Sequence, residues 1–98
     1  MAEINWTQEA QTWLKEIYDY IAADNPDAAA QTVSGIYQQA LLLQQHPEIG
    51  YRYEPASFRE VRNLLYGHYR ITYLIKADSN IDILGVFHGA LDIDRYLV

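Results

Sequence analysis

The sequence contains no cysteine among its 98 residues, so a disulfide, a thiolate zinc site and a cysteine nucleophile are all excluded. It also lacks the run of about 18 or more apolar residues that a membrane-spanning helix needs. Its first residues, MAEINWTQ, are acidic and polar and do not resemble the basic start of a secretory signal. We therefore expect a cytoplasmic protein with no membrane partner.

Positive charge is scarce and unevenly placed along the chain. There are 7 lysines and arginines against 13 acidic residues, which gives a net charge of −6. Residues 1–50 carry seven of the acids and a single lysine, whereas residues 51–77 carry five basic and two acidic side chains. Proteins that bind nucleic acid through its phosphates are usually basic overall or carry a marked basic stripe. Extended nucleic-acid binding is therefore disfavoured, although a local anion contact within residues 51–77 is not.

The N-terminal half has the pattern of two helices. Residues 3–6 can form a short strand, and Thr7 is a good N-cap for the helix that follows. This helix should end before Pro26, because the residue before a proline avoids helical geometry. Asn25, Pro26 and Asp27 then supply a cap, a first-turn proline and a first-turn acid for a second helix. Two helices joined so tightly predict an antiparallel hairpin. The apolar faces are predicted at Ala10, Trp13, Leu14, Ile17, Tyr20 and Ile21, and at Ala29, Val33, Ile36, Tyr37, Ala40 and Leu43.

The second half of the chain changes to a strand pattern. FREVRNLLY and HYRITYLIK are separated by Gly67, a hairpin turn signal, and IDILGVFH follows the turn ADSN as a third strand. The last stretch, ALDIDRYLV, has room for one or two helical turns. The sequence therefore predicts one α+β domain over residues 1–98. An N-terminal helical hairpin packs on a three- to four-stranded antiparallel sheet, and a short C-terminal helix closes the fold.

Both faces of the predicted sheet carry apolar side chains. In the central strand, the residues that suit the face under the helices are Tyr69, Ile71, Tyr73 and Ile75. In IDILGVFH, both alternating sets contain large apolar residues, so either choice leaves some of them on the other face. An antiparallel sheet with one solvated face normally alternates more cleanly. We therefore expect the second face to be partly covered, either by the chain's own C-terminus or by a partner.

The order of these segments resembles the RelE/ParE superfamily, the toxin halves of bacterial type II toxin–antitoxin (plasmid stabilisation) modules. The resemblance rests on the helix pair with IYDYIAADNPDAA, the HPEIG turn, the hairpin FREVRNLLYGHYRITYLI and the strand end VFHGALD. It implies a helical hairpin on a twisted antiparallel sheet, and an antitoxin partner whose segment wraps the toxin and covers apolar surface. It also implies one of two activities. RelE-like members cut mRNA in the ribosomal A site, whereas ParE-like members poison DNA gyrase.

The residues that RelE-like nucleases use are only partly present. Cutting RNA without a metal requires a base, an acid and cations for the developing phosphorane charge. By resemblance, Arg70 matches the central sheet arginine, but the lysines expected on the preceding strand are missing. Ala90 and Leu91 replace the basic pair that usually follows HG. The weak catalytic candidates are Arg70, His88 and Tyr96. A histidine at a strand end is more often structural, and short C-terminal helices often bury a tyrosine, so no catalytic residue is assigned.

The three histidines do not predict a metal site. His46 precedes a proline at a helix end, His68 lies in the hairpin turn, and His88 ends the last strand. They are spread along the chain without a carboxylate at ligand spacing. We therefore expect neither a metal nor another cofactor.

The interpretation that fits these residues is a ParE-like toxin that binds a protein target, DNA gyrase, and is neutralised by a cognate antitoxin. The alternatives are a RelE-like ribosome-dependent mRNA endonuclease and a non-toxic or decayed binding module of the same fold. Three arginines, Arg59, Arg62 and Arg70, could be solvated and paired with Glu54 and Glu60. Alternatively, they could bind antitoxin carboxylates or be the remnant of a phosphate contact. The residues predicted to contact the antitoxin or target are Arg59, Arg62, Arg70, Leu74, Leu84 and Val86.

Overall fold

The computed structural model describes residues 2–54 and 59–88. One short strand and two helices come first, and the other strands follow. The elements in chain order are β1 (Ile4–Trp6), α1 (Gln8–Ala22), α2 (Pro26–Leu41), a 3-10 turn (Leu42–Gln44), β2 (Tyr51–Arg52), β3 (Val61–Tyr66), β4 (Tyr69–Ile75) and β5 (Ile81–His88). The predicted α+β class, with a helical hairpin packed on a sheet, is confirmed.

The sheet has five strands, in the order β1-β5-β4-β3-β2, rather than the predicted three or four. Its three long antiparallel strands were predicted, and β1 and β2 add one short strand at each edge. β1 runs parallel to β5, with Ile4 opposite Ile81, so the sheet is not wholly antiparallel. The short strand predicted over residues 3–6 is present as β1, whereas β2 was not predicted, because a strand of two residues gives no alternation to detect. The predicted C-terminal helix falls outside the described residues.

The helix starts agree with the predicted caps. The Thr7 side chain accepts a hydrogen bond from the Ala10 amide, and its hydroxyl also donates to the Ile83 carbonyl at 2.7 Å. Asn25 caps α2 by accepting from the Ala28 amide at 3.1 Å. Each cap satisfies an amide that the first helical turn leaves without an intrahelical partner. Thr7 in addition fixes the start of α1 against β5, the strand next to the edge strand β1.

The β3–β4 hairpin turns at Gly67, as predicted. Its φ of +56° lies in the left-handed region, which glycine adopts without a steric penalty. The turn sets a register in which Tyr66 is opposite Tyr69 and Arg62 is opposite Tyr73.

Apolar side chains form two clusters, one on each face of the sheet. The larger lies under the helices and includes Ile71 and Tyr73, both fully buried, with Tyr69 and Ile75 packed against it. This confirms the predicted inner face of the central strand. The smaller cluster, which we call the second-face cluster, consists of Tyr53, Val61 and Phe87 with Trp13, Leu74 and Leu84 packed against it. Residues from α1 and from the segment after β2 therefore cover part of the second face.

An irregularity in β5 explains why its alternation was ambiguous. Opposite β4, Thr72 pairs with Gly85 and Tyr73 pairs with Ile83, so Leu84 is an extra residue in the ladder. The bulge reverses the alternation, and Ile83 and Val86 both join the cluster under the helices although three positions separate them. Phe87 is thereby directed to the second face.

None of the helices in the described part of the chain has the length and apolar character needed to cross a membrane.

Candidate functional site

Arg62 and Tyr73 together hold the HPEIG turn against the sheet. The Arg62 guanidinium donates through Nη1 to the carbonyls of Glu48 and Gly50, at 3.2 and 2.8 Å. The Tyr73 hydroxyl donates to the Pro47 carbonyl at 2.6 Å and accepts from the Gly50 amide at 3.0 Å. These bonds give Arg62 a structural role within the fold, and its predicted contact with a partner stays a prediction.

Burial raises the pKa of Tyr73 above the ordinary value of 10.0, and the Gly50 hydrogen bond partly opposes that effect. A raised pKa means that the folded state favours the neutral phenol. This contribution to stability is complete below about pH 10 and is lost as the pH rises through the folded-state pKa. We expect the free energy of unfolding, measured with urea, to fall between pH 8 and about pH 10.5. This fall should be smaller in Tyr73→Phe than in the wild type. Equal losses would contradict the assignment.

The other predicted contact residues are divided between the two faces of the sheet. Arg70 is opposite Phe87 in the register and lies on the second face, where Leu74 and Leu84 also pack. Val86 is fully buried on the helix side. The structure thus brings Arg70, Leu74 and Leu84 to one face and separates them from Val86. Arg59 is exposed just before β3.

The weak catalytic candidates do not converge. His88 is opposite Tyr69 and shares its side of the sheet, whereas Arg70 points to the second face. The His88 ring stacks on His68 with centroids 6.3 Å apart and meets the Tyr69 ring edge-on at 5.7 Å. Tyr96 lies outside the described residues. Within residues 2–54 and 59–88, no group of three histidines or acids could hold a metal ion.

Sequence reasoning missed a groove between α1 and the end of the sheet. It has a volume of about 510 Å³ and a mostly apolar lining. We call it the helix-edge groove. Its lining residues are Trp13, Glu16, Ile17, Tyr20, Tyr69, Val86 and His88.

The predicted apolar stripe of α1 contains the signal for this groove, since it includes Trp13, Ile17 and Tyr20. Leu14 is buried as expected, whereas Tyr20 is 85% exposed. Trp13 is half-buried, and its ring meets Phe87 edge-on with centroids 4.9 Å apart. Part of the stripe therefore lines an open surface instead of the interior.

A second depression, of about 390 Å³, continues the helix-edge groove along α1. It shares Trp13 and Glu16 with the groove and adds Glu9 near the start of the helix. Among the described residues, neither Glu9 nor Glu16 forms a salt bridge. The one lysine of α1, Lys15, is instead 2.7 Å from Asp19, and this hydrogen bond raises the lysine pKa. The groove therefore has an apolar floor and an acidic rim.

Comparison with known proteins gives one consistent result. The family model described as the ParE toxin of the type II toxin–antitoxin system parDE matches residues 4–93. The chain is 37% identical over 88 residues to Y4kP of Sinorhizobium fredii, which is named as a toxin; the match covers 88% of this chain and 86% of that protein. A solved structure titled as the chromosomal ParDE system of P. aeruginosa superposes with a TM-score of 0.73 at 28% identity. That match covers 90% of this chain and 96% of the other.

Proposed function

The chain belongs to the ParE toxin family of type II toxin–antitoxin systems, and from this we propose that it arrests growth by binding DNA gyrase and that a cognate antitoxin neutralises it. The observation that carries the proposal is the family match over residues 4–93, supported by the fold shared with a ParDE toxin–antitoxin system. The proposed action is protein binding and needs no catalytic group.

The arrangement of cations supports binding over RNA cleavage. A nuclease must direct several positive groups at one phosphate. Here Arg62 is bonded to two backbone carbonyls and lies 3.4 Å from Glu60, which also binds Arg52 at 2.8 Å. Lys76 lies 3.5 Å from Asp82. Three of the basic side chains of residues 51–77 therefore interact with carbonyls or carboxylates of the protein itself.

We place the target contact on the second face around Arg70. Its cross-strand neighbour on β3 is Leu65, an apolar side chain that is 53% exposed. Its neighbour on β5 is the buried Phe87. A cation beside an exposed leucine suits the centre of a protein–protein contact, since arginine is enriched among interface hot spots.

The test is induced expression in bacteria without the antitoxin, with DNA synthesis and protein synthesis followed separately by labelled thymidine and methionine. We expect thymidine incorporation to fall first, with filamentation and a DNA-damage response. Purified protein should inhibit supercoiling by gyrase. Arg70→Ala should weaken that inhibition by about tenfold or more, as expected for a hot-spot residue. Arg52→Ala, at the far edge of the sheet, is the matched control and should change it less than about threefold.

Two results would contradict the proposal. An immediate arrest of methionine incorporation with cut mRNA would favour the ribosome-dependent nuclease. Normal growth with unaffected gyrase would indicate a binding module that is no longer toxic.

A further inference from the structure

We propose that the helix-edge groove receives a basic amphipathic segment of the antitoxin, which places an aliphatic side chain against Trp13 and pairs two cations with Glu9 and Glu16. The inference rests on the proposed neutralisation by an antitoxin and adds to it the chemistry and the place of the contact.

The floor of the groove is suited to an aliphatic side chain. Ile17 and Tyr69 are half-buried, and Val86 closes the bottom. Trp13 forms one wall and is held from behind by its edge-on contact with Phe87. Burying an aliphatic side chain here is favourable, because it removes apolar surface from water. A preformed apolar wall of this kind is typical of an anchor site in a protein interface.

The acidic rim defines the charge of the occupant. Glu9 and Glu16 are two helical turns apart on one side of α1, which separates their backbone positions by about 10 Å. Two cations at the same separation would be seven residues apart in a helix or three residues apart in a strand. Lys15 is hydrogen-bonded to Asp19 and also interacts electrostatically with Glu16, so this single lysine offsets the charge of the acidic rim only in part. The other titratable side chains that line the groove are Tyr20, Tyr69 and His88.

Charge also discriminates among the possible occupants. A second copy of the chain would bring the same acidic helix against this one, and like charges in an interface are unfavourable. Residues 89–98 of the chain itself contain Asp92, Asp94 and Arg95, so they add net negative charge. A segment of another protein with two basic side chains complements the charge of the acidic rim, whereas a second copy of the chain and residues 89–98 do not.

The test is binding of the cognate antitoxin, measured by titration calorimetry at 50 and 300 mM salt. Glu9→Gln/Glu16→Gln should weaken binding about 10- to 100-fold at low salt. The affinity of this double variant should also depend less on salt than the affinity of the wild type, because the ion pairs that salt screens are no longer formed. The matched control, Glu3→Gln/Asp24→Asn, removes the same charge from exposed positions outside the groove and should change affinity less than about twofold.

A second measurement reports on the groove directly. The chain has two tryptophans, so 5-fluorotryptophan labelling gives two ¹⁹F resonances, which Trp6→Phe assigns. Addition of unlabelled antitoxin should shift the Trp13 resonance. This readout does not depend on the charge variants.

The outcomes separate this inference from the proposed function. If the wild-type chain does not bind the antitoxin, the proposed neutralisation fails and the inference fails with it. If the wild type binds but both double variants bind equally well, only the groove assignment is wrong. A dimer that Glu9→Gln/Glu16→Gln alters would assign the groove to a second copy. If the Trp13 resonance does not shift when antitoxin is added but does shift when residues 89–98 are deleted, the groove would be assigned to the C-terminal residues of the chain itself.

Discussion

Replacing Phe87 with alanine should lower the free energy of unfolding by about 3–5 kcal/mol, the usual cost of truncating a buried aromatic ring. Phe87 is 1% exposed and packs with Tyr53 and Val61 on the second face. Its ring lies over Gly85, where an added Cβ would come within 2.5 Å of it. The smaller residue would leave a cavity that the sheet cannot fill. Urea denaturation at neutral pH measures the loss.

Leu65→Ala is the matched control for this change. Leu65 lies on the same face but is 53% exposed, so its truncation should cost less than about 1 kcal/mol. Phe87→Leu keeps most of the apolar volume and should fall between the two. A loss below about 1 kcal/mol in Phe87→Ala would show that the second-face cluster contributes little to stability.

Phe87→Ala should also weaken antitoxin binding through the helix-edge groove. The ring of Phe87 supports Trp13 from behind, and without it the wall of the groove loses its backing. This effect should persist at high salt, in contrast to that of the glutamate variants, because the lost contact is apolar.

Tyr73→Phe should lower the free energy of unfolding by about 2–3 kcal/mol, although the ring itself is kept. The hydroxyl is the donor to the Pro47 carbonyl and the acceptor for the Gly50 amide. Both bonds lie beneath the HPEIG turn, and the Tyr73 side chain is fully buried. Removing the hydroxyl leaves the Pro47 carbonyl and the Gly50 amide without this partner. Leaving a buried polar group without a hydrogen bond destabilises the fold by more than a typical formed bond stabilises it.

Tyr69→Phe on the same strand is the control. Tyr69 is half-buried, and its hydroxyl has no hydrogen bond within the described part of the chain, so we expect a change below about 0.5 kcal/mol. Urea denaturation of both variants at pH 7 gives the comparison. A loss in Tyr73→Phe no larger than that in Tyr69→Phe would show that the turn is held by Arg62 alone.

The residues that begin the helices and form the hairpin turn could be predicted from the sequence alone. Thr7 and Asn25 cap the two helices as predicted, and Gly67 turns the hairpin. The alternation of β4 correctly assigned Tyr73 to the face under the helices. These signals act between residues a few positions apart, so the sequence displays them directly.

The candidate site could be predicted only in part from the sequence, because the pairing of strands places arginines of one sequence stretch in different surroundings. Arg62 and Arg70 belong to the same basic stretch, yet one holds the HPEIG turn and the other lies on the second face. Trp13 and Glu16 were placed correctly on a helix, but the groove they share with Val86 requires β5 to lie beside α1.

The sequence alone determined the helices, the three long strands and the acidic character of the helical half, because short-range caps, turns and periodicity encode them. The tertiary structure alone decided the parallel pairing of β1 with β5, the reversal of alternation at Leu84 and the groove beside α1. Asn5 bonds to Asp82 across 77 positions of sequence. Contacts at that separation depend on how the whole sheet is assembled, and no local pattern records them.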